Sequence, residues 1–278
     1  MPGKLTVAPT PIGNMEDVTP RVRRTLAEAD VVACEDTRRA GRLFERLEIE
    51  TPRLVSNHEG NEDERAIQLA QAIERGAKVA LVTDAGTPAI SDPGWRLIRT
   101  CIDRDLEVEV LPGPSAVTTA LVASGLPAHR WRFEGFLPRR AGELERVLQA
   151  TETVVAFESP RRLPESLAAL AQLAPDRPAA VCRELSKLHE EVARGTLSEL
   201  ARRFREDVRG EIVLVLGAGA GAGGQGAAGE DMQFAVDALR RLVQSGARPR
   251  AAAQVVAALT GTRPNELYTA LTGRAPRE

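Results

Sequence analysis

The sequence predicts an α/β protein of two lobes followed by a small helical module. Short apolar runs alternate with segments of helical periodicity over residues 4–217, a Gly/Ala-rich run follows at 217–229, and three short helical segments come after it. Alternating strands and helices are typical of a parallel-rich sheet. The 278 residues exceed the usual size of one domain, which agrees with two lobes.

The first half of the chain predicts strands and helices in turn. Strands are expected at LTVAPTP, VVACEDT, KVALV and EVEVLPG, and helices at VTPRVRRTLAEAD, LFERLEI, GWRLIRTCIDRDL and from Pro114 to about Ser124. Pro114 suits the first turn of its helix because an N–H would have no partner there. Between LFERLEI and KVALV the sequence predicts a polar stretch that contains SNHEGNEDERAIQLAQAIERG, residues 56–76.

The second half repeats this rhythm. Helices are expected at ELERVLQA, RRLPESLAALAQLA and TLSELARRF, and strands at TVVAFESP, AAVCREL and EIVLVLG. We therefore expect lobes over 1–114 and 115–217. A flexible linker is expected over 218–230, because Gly and Ala carry no side chain able to pack a core, and a helical module over 231–278.

Composition excludes several classes of protein. Hydrophobic residues make up 43% and charged residues 27%, and no signal peptide or membrane-length apolar run is present, so we expect a cytoplasmic protein. The three Cys and three His are scattered, which predicts buried thiols and no metal. The net charge of −2 means that any RNA contact needs local basic patches.

The segment Thr83–Gly94, TDAGTPAISDPG, follows a buried strand. Ligands of α/β sheets bind at the carboxyl ends of strands, and glycines such as Gly86 and Gly94 let the backbone approach a cofactor. A tight structural turn explains the segment equally well. It has neither the Gly-Lys-Ser/Thr of a P-loop nor a GxGxxG fingerprint, which disfavours nucleoside triphosphates and NAD.

Three further strand ends carry polar or turn-forming residues, at Thr10–Asn14, Glu35–Arg38 and Leu111–Ser115. The carboxylates of Glu35 and Asp36 could position a hydroxyl or act as a base, but the residues alone favour a surface ion pair with Arg38. Ser115 could cap the following helix as readily as contact a ligand.

Arginines follow strands in the second half, at Phe157–Arg162 and Arg183–Lys187, and surround aromatic residues at Arg130–Arg132 and Pro138–Arg140. Such arginines could hold phosphates, and aromatic rings between them could stack bases. A solvated charged face, or packing of the aromatic rings between the lobes, explains the same residues equally well.

Taken together, these motifs resemble the tetrapyrrole-methylase superfamily, and within it the small-subunit ribosomal RNA cytidine-2′-O-methyltransferases. The resemblance rests on TPIGNMEDVT, ACEDTR, TDAGTPAISDPG, LPGPSA, SGLPAHRWRFEGFLP, ESPRRL, RELSKLHEEVARGTLSEL and RGEIVLV, and covers about residues 4–217. The segment RPRAAAQVVAALTGTRPNELYTAL resembles the helix-turn-helix-like C-terminal module of that family.

The resemblance implies two α/β lobes of the tetrapyrrole-methylase type with S-adenosylmethionine in a cleft between them, a homodimer, and a cytidine ribose of small-subunit ribosomal RNA as acceptor. The expected cofactor-binding residues are Pro11, Asp84, Ala85, Gly86, Thr87, Pro88, Ile90, Ser91, Pro112, Gly113, Ser115, Ala116, Phe157 and Glu158, with Glu184 and 211–213 as weaker candidates.

The same resemblance places Glu35, Asp36 and Arg38 at the cleft as catalytic residues. Because a ribose hydroxyl is a poor nucleophile, we hypothesise that Asp36 or Glu35 accepts its proton. The RNA-binding candidates are Arg161, Arg162, Arg139 and Arg140.

The chain departs from the family pattern at Gly60, where a second histidine usually follows His58, and this disfavours any role that needs two histidines. Thr83 stands where serine is common and keeps the hydroxyl. One alternative is a methyltransferase acting on a tetrapyrrole or another small molecule, against which the basic C-terminal module argues. The other is a catalytically silent RNA-binding protein, against which the intact cofactor loop argues.

Overall fold

The computed structural model describes residues 3–206, 208–219, 226–260 and 263–272. The described residues as far as Gly217 form one compact unit, except for Leu148–Glu152, which group with the residues from Ala218 onward in a second unit. The first unit contains two five-stranded sheets and the second contains helices.

The first sheet is entirely parallel, in the order β3-β2-β4-β1-β5. Its strands are β1 (Lys4–Val7), β2 (Val31–Cys34), β3 (Arg53–Ser56), β4 (Lys78–Leu81) and β5 (Glu107–Val110). Its helices are α1 (Pro20–Ala27), α2 (Thr37–Leu47), α3 (Glu62–Glu74) and α4 (Trp95–Asp103). Because the strands are parallel, their carboxyl ends and the loops that follow share one edge.

Apolar side chains cover both faces of this sheet. Alternate strand residues such as Leu5 and Val79 pack with Ile73 of α3 and Leu97 of α4. On the opposite face, the strand residues pack with α1 and α2, where Phe44 is fully buried. A sheet buried on both faces explains the nearly continuous apolar runs of β2 and β4.

The polar stretch between LFERLEI and KVALV, which contains residues 56–76, forms β3 and α3. The buried residues of α3 are Ala66, Leu69, Ala70 and Ile73, a helical i, i+3, i+4, i+7 stripe within a charged segment. β3 is a short edge strand of four residues, RLVS, without full burial at any position. Its weak pattern reflects that edge position.

The second sheet has the order β6-β7-β10-β8-β9. Its strands are β6 (Trp131–Phe136), β7 (Thr153–Glu158), β8 (Pro178–Arg183), β9 (Glu191–Thr196) and β10 (Ile212–Leu216). The helices of this lobe are α5 (Ala116–Ser124), α6 (Ala141–Leu148), α7 (Leu163–Leu173) and α8 (Leu197–Arg203). α5 packs against β7, β8 and β10.

The expectation of a parallel-rich sheet is wrong for this second lobe. Only β6 and β7 are parallel, and the pairs β7-β10, β10-β8 and β8-β9 are antiparallel. One reason is the edge strand β9, which the apolar pattern does not reveal: it pairs antiparallel with β8 and so reverses the chain before β10, which is also antiparallel to β8. The pattern does not reveal the edge strand β6 either. β6 carries charges and Gly135 at φ +71°, and its register shifts between Phe133 and Phe136.

The C-terminal unit contains the three helices that the sequence predicts, α9 (Gly226–Gln244), α10 (Pro249–Thr260) and α11 (Pro264–Thr272). Their small core is built from Ala235, Leu239, Ala252, Ala253, Val256, Ala257 and Leu267. α9 begins within the segment expected to be a linker, because 226–230 is helical; residues 220–225 lie outside the described residues. None of the helices described is both long and apolar enough to span a membrane.

The three cysteines are buried and free, as the sequence predicts. Burial raises the pKa of the Cys34 thiol to about 12 and those of Cys101 and Cys182 to about 11. Across the described ranges, no group of three or more His, Cys, Asp or Glu side chains is placed to hold a metal ion.

Candidate active site

The loops that follow β1, β4 and β5 meet at the carboxyl edge of the first sheet. Thr10 N donates to Gly86 O at 2.8 Å, and Gly86 N donates to Thr10 O at 3.0 Å. The Thr10 hydroxyl donates to Thr83 O at 3.0 Å, and the Thr87 hydroxyl donates to Pro114 O at 3.1 Å. These bonds join three of the loops that the sequence singles out.

The loop after β4 has left-handed backbone at Gly86 (φ +80°), Ala89 (φ +66°) and Ser91 (φ +63°). A non-glycine residue in this region costs roughly 1–3 kcal/mol, and such strain concentrates at ligand-binding sites. A Cβ on Gly86 would lie 3.4 Å from Ile12 Cγ2. The loop is therefore strained at Ala89 and Ser91, and at Gly86 it lies in contact with the first loop.

Gly13 brings the loop after β1 against the second lobe. A Cβ on Gly13 would lie 2.4 Å from Lys187 Cγ and 2.8 Å from Ser186 Oγ, so only glycine permits this approach. Asn14 N donates to Ser186 Oγ at 3.2 Å. The turn after β8 therefore closes one end of a cleft between the two lobes.

One cavity in this cleft, which we call the acidic cavity, has a volume of about 410 Å³. It is lined by Ile12, Glu35, Arg39, Asp84, Ala85, Gly86, Thr87, Ile90, Asp92, Ser115, Ala116, Val117, Phe136, Phe157, Glu158, Ser159, Pro160, Gly210, Glu211, Ile212 and Val213. Its charged lining residues are five carboxylates and a single arginine, Arg39. Both lobes contribute to it.

The carboxylates crowd one another in the acidic cavity. The pKa of Glu35 is raised, first by burial and then by the negative charges of Asp84 and Asp92. Burial also raises the pKa of Asp92. Arg39 Nη1 donates to Asp84 Oδ2 at 2.8 Å and opposes the shift at Glu35. Glu35 is thus a carboxylate with raised proton affinity on a cavity wall.

The adjoining cavity, which we call the basic cavity, has a volume of about 520 Å³. It is lined by Thr10, Pro11, Ile12, Gly13, Met15, Cys34, Arg39, Ala40, Arg42, Leu43, Arg46, Val82, Thr83, Asp84, Ala85, Lys187 and Glu211. It shares Ile12, Arg39, Asp84, Ala85 and Glu211 with the acidic cavity. Its charged lining residues are four cations and two carboxylates.

A family model for tetrapyrrole (corrin/porphyrin) methylases matches residues 4–201. The chain belongs to the tetrapyrrole methylase family. It is 46% identical over 276 residues to "Ribosomal RNA small subunit methyltransferase I" of Mycobacterium tuberculosis, covering 97% of this chain and 94% of that protein. The protein of the same name from Thermotoga maritima is 42% identical, over 77% of this chain and 98% of its own length.

The fold also matches that of a solved methyltransferase. This is uroporphyrin-III C-methyltransferase from Thermus thermophilus in complex with S-adenosyl homocysteine, with a TM-score of 0.55, 22% identity, and coverage of 77% of this chain and 97% of that one. The predictions of family and of fold class are therefore confirmed.

The structure brings most of the expected cofactor-binding residues of this tetrapyrrole methylase together. The acidic cavity is lined by Asp84, Ala85, Gly86, Thr87, Ile90, Ser115, Ala116, Phe157 and Glu158, while Pro11 lines the basic cavity. Pro88, Ser91, Pro112 and Gly113 belong to the same loops but line neither cavity. Ser115 occupies the N-cap position of α5 without a side-chain capping bond, so its hydroxyl is not committed there.

The three catalytic candidates occupy different environments. Glu35 lines the acidic cavity, whereas Asp36 and Arg38 line neither cavity. Asp36 caps α2, accepting from Arg38 N at 2.8 Å and from the Arg38 guanidinium at 3.1 and 3.3 Å. These bonds lower the pKa of Asp36 to about 2. Of the two carboxylates, Glu35 is better suited to accept a proton.

The RNA-binding candidates also differ. Arg162 is committed within the fold, since it donates to Leu137 O at 3.0 Å and lies 3.3 Å from a carboxylate oxygen of Glu158. Arg161 and Arg139 are exposed, and Arg140 lies 3.9 Å from a carboxylate oxygen of Glu143. None of the four candidates lines the acidic or the basic cavity: Arg139, Arg140, Arg161 and Arg162.

The segment from His58 to Glu62, in which Gly60 replaces the usual second histidine of the family, has a structural role. Gly60 N donates to His58 Nδ1 at 3.1 Å, and Glu62 accepts from Gly94 N at 2.7 Å and Arg96 N at 3.0 Å. Glu62 therefore caps the start of α4, at the end of the loop that follows β4.

Two residues that line the acidic cavity, Arg39 and Asp92, are not among the site residues expected from the sequence. Arg39 lies one residue beyond the ACEDTR motif, and Asp92 lies within TDAGTPAISDPG, so both were marked by motif proximity. Their closeness to Glu35 depends on how the loops fold back, which the linear pattern does not show.

Proposed function

We propose that this chain transfers the methyl group of S-adenosylmethionine to the ribose 2′-hydroxyl of a cytidine in small-subunit ribosomal RNA. The observation that carries the proposal is the pair of adjoining cavities with opposite charge in a tetrapyrrole methylase, together with 46% identity to a named small-subunit ribosomal RNA methyltransferase. A cationic cofactor suits the acidic cavity, and an anionic RNA suits the basic one.

The acidic cavity fits the cofactor. S-adenosylmethionine supplies an electrophilic methyl group on a positively charged sulfonium. Two of the five carboxylates that line the cavity, Glu35 and Asp92, have no ion pair with a described residue, and the cavity's volume of about 410 Å³ lies within the range of small-ligand cavities. Gly86, with left-handed backbone, lets the loop after β4 lie in contact with Ile12 of the first loop, which forms part of the cavity wall. The loops at 84–87 and 115–116, with Phe157 on the second lobe, would hold it.

Glu35 is the residue we assign as proton acceptor. Burial and the neighbouring carboxylates raise its pKa, which brings its proton affinity closer to that needed for general-base catalysis. A ribose hydroxyl beside Glu35 would lie next to the wall shared by the two cavities, where Arg39 and Asp84 form their ion pair. Orientation of both reactants in adjoining cavities supplies further acceleration.

We also propose that the lobes span 1–114 and 115–217, and that the module over 231–278 assists RNA binding. The packing of α5 against the second sheet supports the first boundary. We propose further that the protein acts as a homodimer, as the resemblance implies, and in the cytoplasm, as its composition predicts.

The test is transfer of labelled methyl from S-adenosylmethionine to small ribosomal subunits that lack modifications, followed by nuclease digestion and mass spectrometry. We expect a single 2′-O-methylcytidine. Cofactor binding measured by calorimetry accompanies the assay. Binding without label in the RNA would point to a small-molecule acceptor, and absence of binding would point to a silent RNA-binding protein; either result contradicts the proposal.

A further inference from the structure

We propose that Arg42 and Arg46 of α2 bind backbone phosphates of the RNA strand that carries the acceptor ribose. This inference rests on the proposed function and deepens it, because it assigns the substrate to the basic cavity. The RNA-binding candidates expected from the sequence lie elsewhere, on arginines of the second lobe.

The helical spacing puts three arginines on one face of α2. Arg39, Arg42 and Arg46 stand at positions i, i+3 and i+7, so their side chains share the face that lines the basic cavity. The opposite face carries Phe44 and Leu47 into the core of the first lobe. Rigid packing of that face holds the cationic face in place.

The charges of these arginines are not equally available. Arg39 is paired with Asp84, and Lys187 Nζ donates to Glu184 Oε1 at 2.8 Å and to Glu211 Oε2 at 3.1 Å. Arg42 and Arg46 are exposed, and within the described part of the chain neither side chain has a hydrogen bond or ion pair. They are therefore the cations of the cavity left to meet an external anion.

The wall shared by the two cavities relates Arg42 and Arg46 to Glu35, and so to the strand that carries the acceptor ribose. Arg39, Asp84 and Glu211 line both cavities, so a group in the basic cavity is a direct neighbour of one in the acidic cavity. When the acceptor ribose lies beside Glu35, the adjacent backbone phosphates extend into the basic cavity. Met15 and Leu43 add apolar lining for an unstacked base.

The experiment compares the double variant Arg42→Ala/Arg46→Ala with the wild type, using small ribosomal subunits that lack modifications as the probe. The KM for subunits should rise roughly tenfold or more, while kcat at saturation and the Kd for S-adenosylmethionine stay within about twofold. The slope of log affinity against log salt should fall by about 1.4, because each phosphate contact to a single strand contributes about 0.7.

Two matched variants separate this role from general charge and folding. Arg24→Ala/Arg202→Ala removes two exposed arginines that line neither cavity, and should leave the KM and the salt slope unchanged. Arg42→Lys/Arg46→Lys keeps both charges and should restore most of the salt slope.

An unchanged subunit KM and salt slope in an active Arg42→Ala/Arg46→Ala protein would overturn this inference and leave the proposed function intact. Failure of the wild type itself to methylate the subunits would instead overturn the proposed function. A double variant that loses cofactor affinity as well as RNA affinity would show a folding defect of α2, and would also overturn the specific role in phosphate binding.

Discussion

The acidic and the basic cavity share a wall but differ in charge. Glu35 and Asp92 line only the acidic cavity, whereas Arg42 and Arg46 line only the basic one. On the shared wall, Arg39 and Asp84 neutralise each other. The difference teaches that one set of strand-end loops can form two adjoining cavities of opposite charge, with the Arg39–Asp84 ion pair on the wall between them.

The largest expected effect is that of Gly86→Val, which should distort the loop that lines the acidic cavity. A β-branched residue at φ +80° is strained, and its side chain would enter the space between Ile12 and Pro114. We expect loss of detectable cofactor binding by calorimetry and loss of methyl transfer.

The matched control is Gly125→Val at the end of α5. Gly125 also has left-handed backbone, at φ +71°, but a Cβ there meets nothing within 4 Å. It therefore imposes similar backbone strain and should retain cofactor affinity. Equal loss of affinity in both variants would show that strain, not the cavity, is responsible.

Glu35→Gln should lower kcat by about 10²–10⁴-fold, the usual contribution of a general base, with cofactor affinity retained. Asp36→Asn should change kcat far less, because Asp36 caps α2 and lines neither cavity. Single-turnover methyl transfer by both single variants and the double variant measures this. Wild-type rates in folded Glu35→Gln protein would remove Glu35 from the mechanism.

Arg162→Ala should lower the stability of the fold, whereas substitution of Arg42 and Arg46 in the basic cavity should lower RNA affinity. The Glu158 side chain is fully buried, and loss of Arg162 would leave its carboxylate without a cationic partner at a cost of about 3 kcal/mol. Denaturant unfolding measures the change, and Arg161→Ala, at an exposed neighbour, should be nearly neutral. A stable Arg162→Ala protein with weak RNA affinity would restore Arg162 as an RNA contact.

The smallest expected effect is on pH dependence. A base must be deprotonated, so the methyl-transfer rate should fall as the pH drops through the raised pKa of Glu35. Asp92→Asn removes one of the negative charges that raise this pKa and should move the acidic limb to lower pH. If the acidic limb of the Asp92→Asn profile moves to higher pH, Asp92 does not raise the pKa of Glu35. The same conclusion follows if this limb stays in place although Glu35→Gln removes it from the profile.

Much of the fold follows from local pattern. KVALV running into TDAGTPAISDPG predicts β4 and its loop, and the Gly-ended helical segments predict α9 to α11. The edge strands β3, β6 and β9 do not follow, because exposed edges carry no continuous apolar run. The antiparallel pairing of the second sheet depends in part on β9, which reverses the chain after β8, and it was missed with that strand.

The sequence by itself determined the α/β class, the family and the loops that carry the site, because apolar periodicity and motif order are properties of the chain. Only the tertiary structure decided which charges meet. Glu35, Asp84 and Asp92 influence one another although 49 residues separate the first from the second, and Arg162 turned inward to a buried Glu158. Electrostatic energies depend on distance and burial in space, and neither quantity is written in the order of residues.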